Sequence, residues 1–311
     1  SAINIAAASD MLFSGGSGQR AYAQLGHGGW GSAGARAAAL SIGSIGDLRF
    51  VGGSGSEAYA QLGHGGYNAD GNQSGAITIQ RAQDIDFSGG SGRDAFAQLG
   101  MGGSLNNANH SGDITITSAQ AVSLSAGAGR EAYAQLGAGG RSAIGNHSGE
   151  LQLSRIDSLN IIGGSDLRSY AQLGHGGFNA DGDHSGDIDV QLDNGAVTVM
   201  AGSGTDTYAQ LGHGGYLYSG TKSGVININN ASDSILMAGG ATRSYVHLGH
   251  GGYDADGAAS GAVSFTTAGN LMIVGGDGNL RSEERRVGKE CRSRWWTYHY
   301  KKKSGGRRLS M

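Results

Sequence analysis

The amino-acid sequence predicts an all-β fold: a parallel β-helix, or β-solenoid, built from 37-residue repeats of two coils each. Three observations predict it. A nine-residue motif returns at a nearly constant interval, short runs alternate apolar and polar residues between Gly and Ser, and the 311 residues include 61 Gly but no Pro. The motif AYAQLGHGG fills 21–29 and returns unaltered at 58–66. Near-copies stand at 95–103, 132–140, 169–177, 207–215 and 244–252. The aromatic residue of the motif is Tyr22, Tyr59, Phe96, Tyr133, Tyr170, Tyr208 and Tyr245, at steps of 37, 37, 37, 37, 38 and 37. A fixed period of this length marks a stacked repeat architecture.

Each repeat divides into halves of 19 and 18 residues, as in SGAITIQRAQDIDFSGGSG (74–92) and RDAFAQLGMGGSLNNANH (93–110). In the first half, Ile77 and Ile79 point one way around Thr78, and Ile85 and Phe87 do so around Asp86. This period-2 alternation between Gly and Ser predicts two strands, with QRAQ or TSAQ as the corner between them. In the second half Ala58, Ala60 and Leu62 share one face, and Tyr59 and Gln61 share the other. The Ala, Ala and Leu face suits a narrow interior, so Tyr and Gln are expected outside. No 3.6-residue period is sustained. Taking each half as one coil, strands lie about 4.8 Å above those of the previous coil. No coil buries its apolar face alone; stacking supplies the core. Gly supplies the corners, and Pro would remove a ladder hydrogen bond from every strand it entered.

Composition separates the chain into two parts. Residues 1–280 hold 11 Lys+Arg against 22 Asp+Glu, a net charge of −11, and no Cys. Residues 281–311 hold 11 Lys+Arg against 3 Glu, a net of +8, together with Cys291 and two of the three Trp. A basic, aromatic tail would ordinarily point to nucleic acid or a membrane surface. Instead RSEERRVGKECRSRW (281–295) resembles the translation of a short-read sequencing adapter. The tail is therefore expected to be artefactual, with 1–280 as the native repeat segment of seven repeats and a partial one. The sequence opens in mid-pattern and reads as an internal piece of a longer protein. Its open coil ends are expected to self-associate. No run is long and apolar enough to span a membrane, and Gly without a Gly-X-Y triplet excludes collagen.

Repeated His, Asp and Gln invite a chemical reading. The motif's His column holds His27, His64, His175, His213 and His250, but Met101 and Ala138 in the middle copies. A site that requires imidazole does not tolerate Ala. With two coils per repeat, successive His would also stand about 9.6 Å apart, too far to share a zinc ion with ligands at about 2.1 Å. A second series, His110, His147 and His184, alternates with Gln73, Lys222 and Ala259 at the same place and reads as surface corner residues. The acidic turns YNADGN (67–72), FNADGD (178–183) and YDADGA (253–258) lack the recurrent spacing of calcium-binding loops and use ordinary turn residues. Lys222 is the one Lys before residue 281, charges are spread over the repeats, and no Gly-rich loop continues into G-K-[ST]. No catalytic residue, cofactor or metal ligand is therefore assigned. The candidate site is a pair of possible surface ladders: Tyr22, Tyr59, Phe96, Tyr133, Tyr170, Tyr208 and Tyr245, and Gln24, Gln61, Gln98, Gln135, Gln172 and Gln210, followed by His247. Aromatic and amide ladders stack along a fibre axis; an exposed aromatic strip would also take a glycan.

SGDITITSAQAVSLSAG (111–127), SGAITIQRAQDIDFSGG (74–90) and SGDIDVQLDNGAVTVMAG (185–202) resemble the haemagglutinin repeats of filamentous haemagglutinin-type exoproteins. That resemblance spans residues 1–280. It implies a right-handed parallel β-helix, two-partner secretion through an outer-membrane transporter, and a bacterial cell-surface adhesin. The implied function is a rigid rod that presents a distal binding domain or meets a receptor or glycan, without nucleic acid or a membrane span. Its secretion domain is not in this sequence, so the route is an inference. A segment without Cys suits passage across the outer membrane in unfolded form. The rival class is a carbohydrate-active β-helix enzyme, which needs a local cluster of carboxylates or cations that breaks the repeat. A metal- or calcium-binding solenoid is the third.

Overall fold

The computed structural model describes residues 1–275 except 233, 234, 239 and 268. The boundary expected at 280 and the basic tail lie outside the described residues. Those residues form β-strands, turns and no helix, and every strand pairing is parallel. The structure is a β-solenoid of about seven turns.

Each turn consumes a whole repeat. Ile3 pairs with Leu40, Leu40 with Ile77, Ile77 with Ile114 and Ile114 with Leu151, always 37 residues on. The second half keeps the same offset, since Gln61 pairs with Gln24 and Gln98. The expected two coils per repeat are thus one coil of 37 residues. The two halves carry unlike side chains, and an Ile strand stacked on an Ala-Gln-Leu strand would pair neither ladder. A 37-residue offset puts Ile on Ile, Gln on Gln and Tyr on Tyr.

Within one coil the chain builds three walls. The first wall is a 14-stranded sheet to which both runs of the first half contribute, for example Ile77–Arg81 and Asp84–Ser88. The expected corner between them is only a bend, and the runs fuse into single strands at Leu151–Ile162 and Ile188–Met200. The second wall is a seven-stranded sheet of the motif, such as Ala97–Leu99 and Tyr133–Leu136. The third is a short ladder that includes His110–Ser111 and His147–Ser148.

The inner faces follow the sequence pattern. Ile77, Ile79, Ile85 and Phe87 are buried and Thr78 and Asp86 half-exposed. Ala60, Leu62, Ala97 and Leu99 meet them in one continuous apolar core between the first and second walls. Tyr59, Phe96, Tyr133, Tyr170 and Tyr208 form a second core with Tyr67, Phe178 and Tyr216. The motif sheet is therefore buried on both faces, because the G-H-G-G corner sends the chain back across its Tyr and Gln side.

That corner depends on glycine. Gly137 has φ of 144°, and a Cβ there would run into the carbonyl oxygen of Gly174 in the adjacent coil. The two conditions act together: the conformation is closed to L side chains, and the missing Cβ lets the coils approach at ladder distance. One coil carries an extra residue. Leu153 pairs with Val190 and Ser158 with Ala196, an offset that grows from 37 to 38 across the bend. The added residue bulges out at exposed Asp193 and Asn194, and Asn194 has φ of 61°.

Substituting Gly137→Ala should cost about 3–5 kcal/mol, read from the urea unfolding midpoint. Gly31→Ala, where φ is 63° and nothing lies within 4 Å of a Cβ, should cost about 1 kcal/mol. Equal losses at the two sites would contradict this packing.

Candidate functional site

The Tyr and Gln ladders form as stacks, but inside the protein rather than on its surface. Tyr59, Phe96, Tyr133, Tyr170 and Tyr208 are each 0% exposed, whereas Tyr22 in the first coil is 45% exposed. Ring centroids from Tyr22 to Tyr245 follow one another at 4.6–5.1 Å with planes within 6° of parallel. The phenol oxygens of Tyr59, Tyr133, Tyr170, Tyr208 and Tyr245 face the backbone of the residue eight positions on, and burial raises their pKa. They are closed to a glycan. The surface expectation took the polar end of Tyr and the amide of Gln as outward markers. The returning third wall, with Tyr67 and Ala69 buried, covers both.

The Gln ladder is a set of axial clamps. Gln135 Nε2 donates to the Ala138 carbonyl in its own coil at 3.3 Å, and to Gly174 and Gly176 in the next coil at 3.1 Å each. Gln61, Gln98, Gln172 and Gln210 repeat the pattern. Gln24 begins it at the half-buried first coil, and His247 takes the place in the last. A side-chain amide offers two N–H donors without burying a charge, which suits it to link carbonyls of two coils. The Gly176 carbonyl also accepts the Gly140 N–H at 2.8 Å and the Ala138 carbonyl the Gly176 N–H at 3.0 Å, so the amide adds a second donor to carbonyls already in the ladder.

The His column has an equally fixed role. Nδ1 of His64, His175, His213 and His250 accepts the backbone N–H of His27, Ala138, His175 and His213, at 2.9–3.2 Å. Nε2 of the same rings donates to the carbonyls of Ala38, Gly149, Gly186 and Gly224 at 2.8–3.0 Å. Successive rings lie 4.7–5.1 Å apart where they are adjacent, not at the two-coil spacing. The second series, His110, His147 and His184, is not at the surface. All three are 0% exposed, and so in effect is Lys222 at 1%. Among the described residues no group of three or more His, Cys, Asp or Glu is placed to hold a metal ion.

The acidic turns form ladders of their own. Asn72, Asn109 and Asn146 each accept the backbone N–H of the residue above at 2.9–3.1 Å. Asp183 accepts both N–H and Oγ1–H of Thr221, which hold its carboxyl below the ordinary value.

A column that sequence reasoning missed stands two residues before the aromatic: Arg20, Glu57, Asp94, Glu131, Arg168, Asp206 and Arg243. The signal was the run of signs at one fixed place in the repeat. Arg20 pairs with Glu57 at 2.8 Å, Arg168 with Glu131 at 3.3 Å, and Arg243 with Asp206 at 2.5 Å. The alternation fails over three successive acids, Glu57, Asp94 and Glu131; Glu57 keeps Arg20 as its partner, and Arg141 bridges the other two. Arg141 occupies the place held by Trp30, Tyr67, Phe178, Tyr216 and Tyr253 in other coils, and reaches Asp94 at 3.2 Å and Glu131 at 2.7 Å. Burial raises Asp94 to about 6, against the pull of Arg141 and with the push of Glu131. Burial acts on Glu131 as well, but Arg141 and hydrogen bonds from Asp94 and Arg168 outweigh it and hold its pKa down. A carboxylate pair with split pKa values can serve acid–base chemistry, yet these side chains are 4% and 2% exposed and enclose a guanidinium.

Open polar groups gather instead at the bend of the first wall. Two shallow grooves lie there, of about 380 and 450 Å³. Gln83, Gln120, Arg81, Arg155 and Asp157 line one, Asn194, Asn230 and Thr266 line the other, and bulged Asp193 borders both. Comparison with protein-family models, with curated proteins and with solved structures finds no match.

Replacing Arg141→Met should cost about 3–5 kcal/mol at pH 7.5, because two adjacent buried carboxylates lose their cation. Adding Asp94→Asn should recover most of that loss in a double-mutant cycle. Additive losses in urea unfolding would show that the three groups do not act as a unit.

Proposed function

We propose that this chain is a rigid structural segment of a large secreted bacterial surface adhesin, of the filamentous haemagglutinin type that its repeats resemble. The single observation that supports the reading is axial uniformity. Coil after coil places the same side chain on its counterpart, and the repeated Gln amide nitrogens and motif His rings are bonded along the axis. Such a body has a mechanical role: it transmits position along its length.

The one-coil repeat changes the proportions of the rod. Seven rises of about 4.8 Å give roughly 34 Å of axis, half the reach of a two-coil repeat. The chain is used to thicken the rod with a third wall and a second, aromatic core. We read this as a stiff shaft that meets a receptor or glycan through its sides as well as presenting what lies beyond it. The outer-membrane transporter remains the partner expected during secretion. No helix among the described residues is long and apolar enough to cross a membrane.

Beads coated with the full chain, drawn by shear flow over epithelial and bacterial cell layers, test the adhesive part. Retention well above albumin-coated beads is expected. Retention equal to albumin counts against adhesion, and depolymerisation of any polysaccharide in a parallel panel would favour the enzyme reading.

A further inference from the structure

We propose that the paired imidazole columns make the solenoid acid-sensitive: its interior accepts neutral imidazole only, so mildly acidic solution destabilises the coils that contain it. This stands apart from the adhesin reading and rests on geometry.

In the first column both ring nitrogens are already committed. Nδ1 of His64, His175, His213 and His250 accepts a backbone N–H, and Nε2 donates to a backbone carbonyl. A second proton on Nδ1 would face a donor and break the link to the neighbouring coil. In the second column His110 stacks on His147 at 4.8 Å and His147 on His184 at 4.6 Å. His147 Nδ1 and His184 Nε2 share one hydrogen bond at 2.8 Å, so one of these two nitrogens must be unprotonated. Both nitrogens of His110, Nε2 of His147 and Nδ1 of His184 are buried and have no hydrogen-bond partner among the described residues. Protonation would add a further buried N–H without an acceptor and place a positive charge beside it.

The surroundings supply no compensating charge within the columns. His64 faces His27 and Arg36, and the His110 to His184 series faces His175 and Lys222. His213 faces His175, His250 and His184, and His247 faces His250. Two carboxylates bear on the set, Asp113 on His175 and Asp187 on His250, which also faces Lys222. Asp113 is exposed and Asp187 half-exposed. Burial accordingly depresses His64, His147, His184, His213, His247 and His250, and lowers His175 to about 4 and His110 to about 3.

The sign follows by linkage. Unfolded His takes up a proton near 6.5, whereas burial holds the folded rings below that value. Stability is therefore complete above about pH 6.5 and falls as pH drops toward the folded values. Each such ring raises the unfolding constant up to about tenfold per pH unit in that window. Carboxylates do not mimic this. Asp94, raised to about 6, acts in the opposite direction. Glu131 and Asp183, held low, lose their contribution only below about pH 4.5.

Urea unfolding of the full chain between pH 7.5 and 5 tests the proposal. The logarithm of the unfolding constant should rise by three or more per pH unit between 6 and 5. The triple variant His110→Gln, His147→Gln and His184→Gln, with the residue this column holds at Gln73, should lower that slope by close to three. A wild-type slope of one or less, or an unchanged slope in the variant, overturns it. Should the variant fail to fold at pH 7.5, His C2–H exchange of the folded wild type decides. Rings still neutral at pH 5 support the proposal, and rings titrating near 6.5 defeat it.

Discussion

The constraint on which the rest depends is that each coil must lie on its neighbour at ladder distance, residue on equivalent residue. The aromatic stack measures it directly at 4.6–5.1 Å. At that spacing a side chain has one dominant neighbour, its own counterpart 37 or 38 residues away. Identical residues that stack or bond to backbone then suit every rung, which accounts for repeated Tyr and Gln. Charged residues cannot repeat without repulsion, and the Arg20 to Arg243 column sets Arg beside an acid at four of its six junctions. Arg141 shows the response at one exception: where Asp94 and Glu131 adjoin, a cation replaces the aromatic residue next to them.

The same spacing explains the glycine corner. The Gln amide reaches two carbonyls of the next coil only because those carbonyls belong to residues without Cβ, packed against each other. Gln, Gly and the His between them are thus one device. Its Met101 and Ala138 members remain compatible because the backbone, not the imidazole, carries the ladder. Met101 even accepts the His64 N–H through its sulfur at 3.3 Å. The bent first wall has no such device, and it is there that the extra residue and the open grooves occur.

Much of the fold was legible in sequence. The period, the parallel stacking and the inward faces Ile77/Ile79, Ile85/Phe87 and Ala58/Ala60/Leu62 follow from alternation. Two features were not. Alternation separates two faces but does not say whether the second is covered, and the segment after G-H-G-G has too little apolar pattern to announce a wall. Alternation alone therefore places Tyr59, Gln61 and His110 on the outside. The coil count failed for a related reason, since halves of 18 and 19 residues each resemble a coil until their unlike side chains are required to stack. Of the candidate site, the ladders themselves were legible and their location was not. The charge column was visible only as a sequence of signs at one place in the repeat, a pattern that demands the register first.

The central claim, one 37-residue coil per rung, predicts a distance. Solid-state NMR on the chain labelled with 13C at the Tyr carbonyl carbons should find neighbouring labels from Tyr133, Tyr170, Tyr208 and Tyr245 about 4.8 Å apart. Nearest separations of about 9.6 Å, the value for two coils per repeat, would contradict the account.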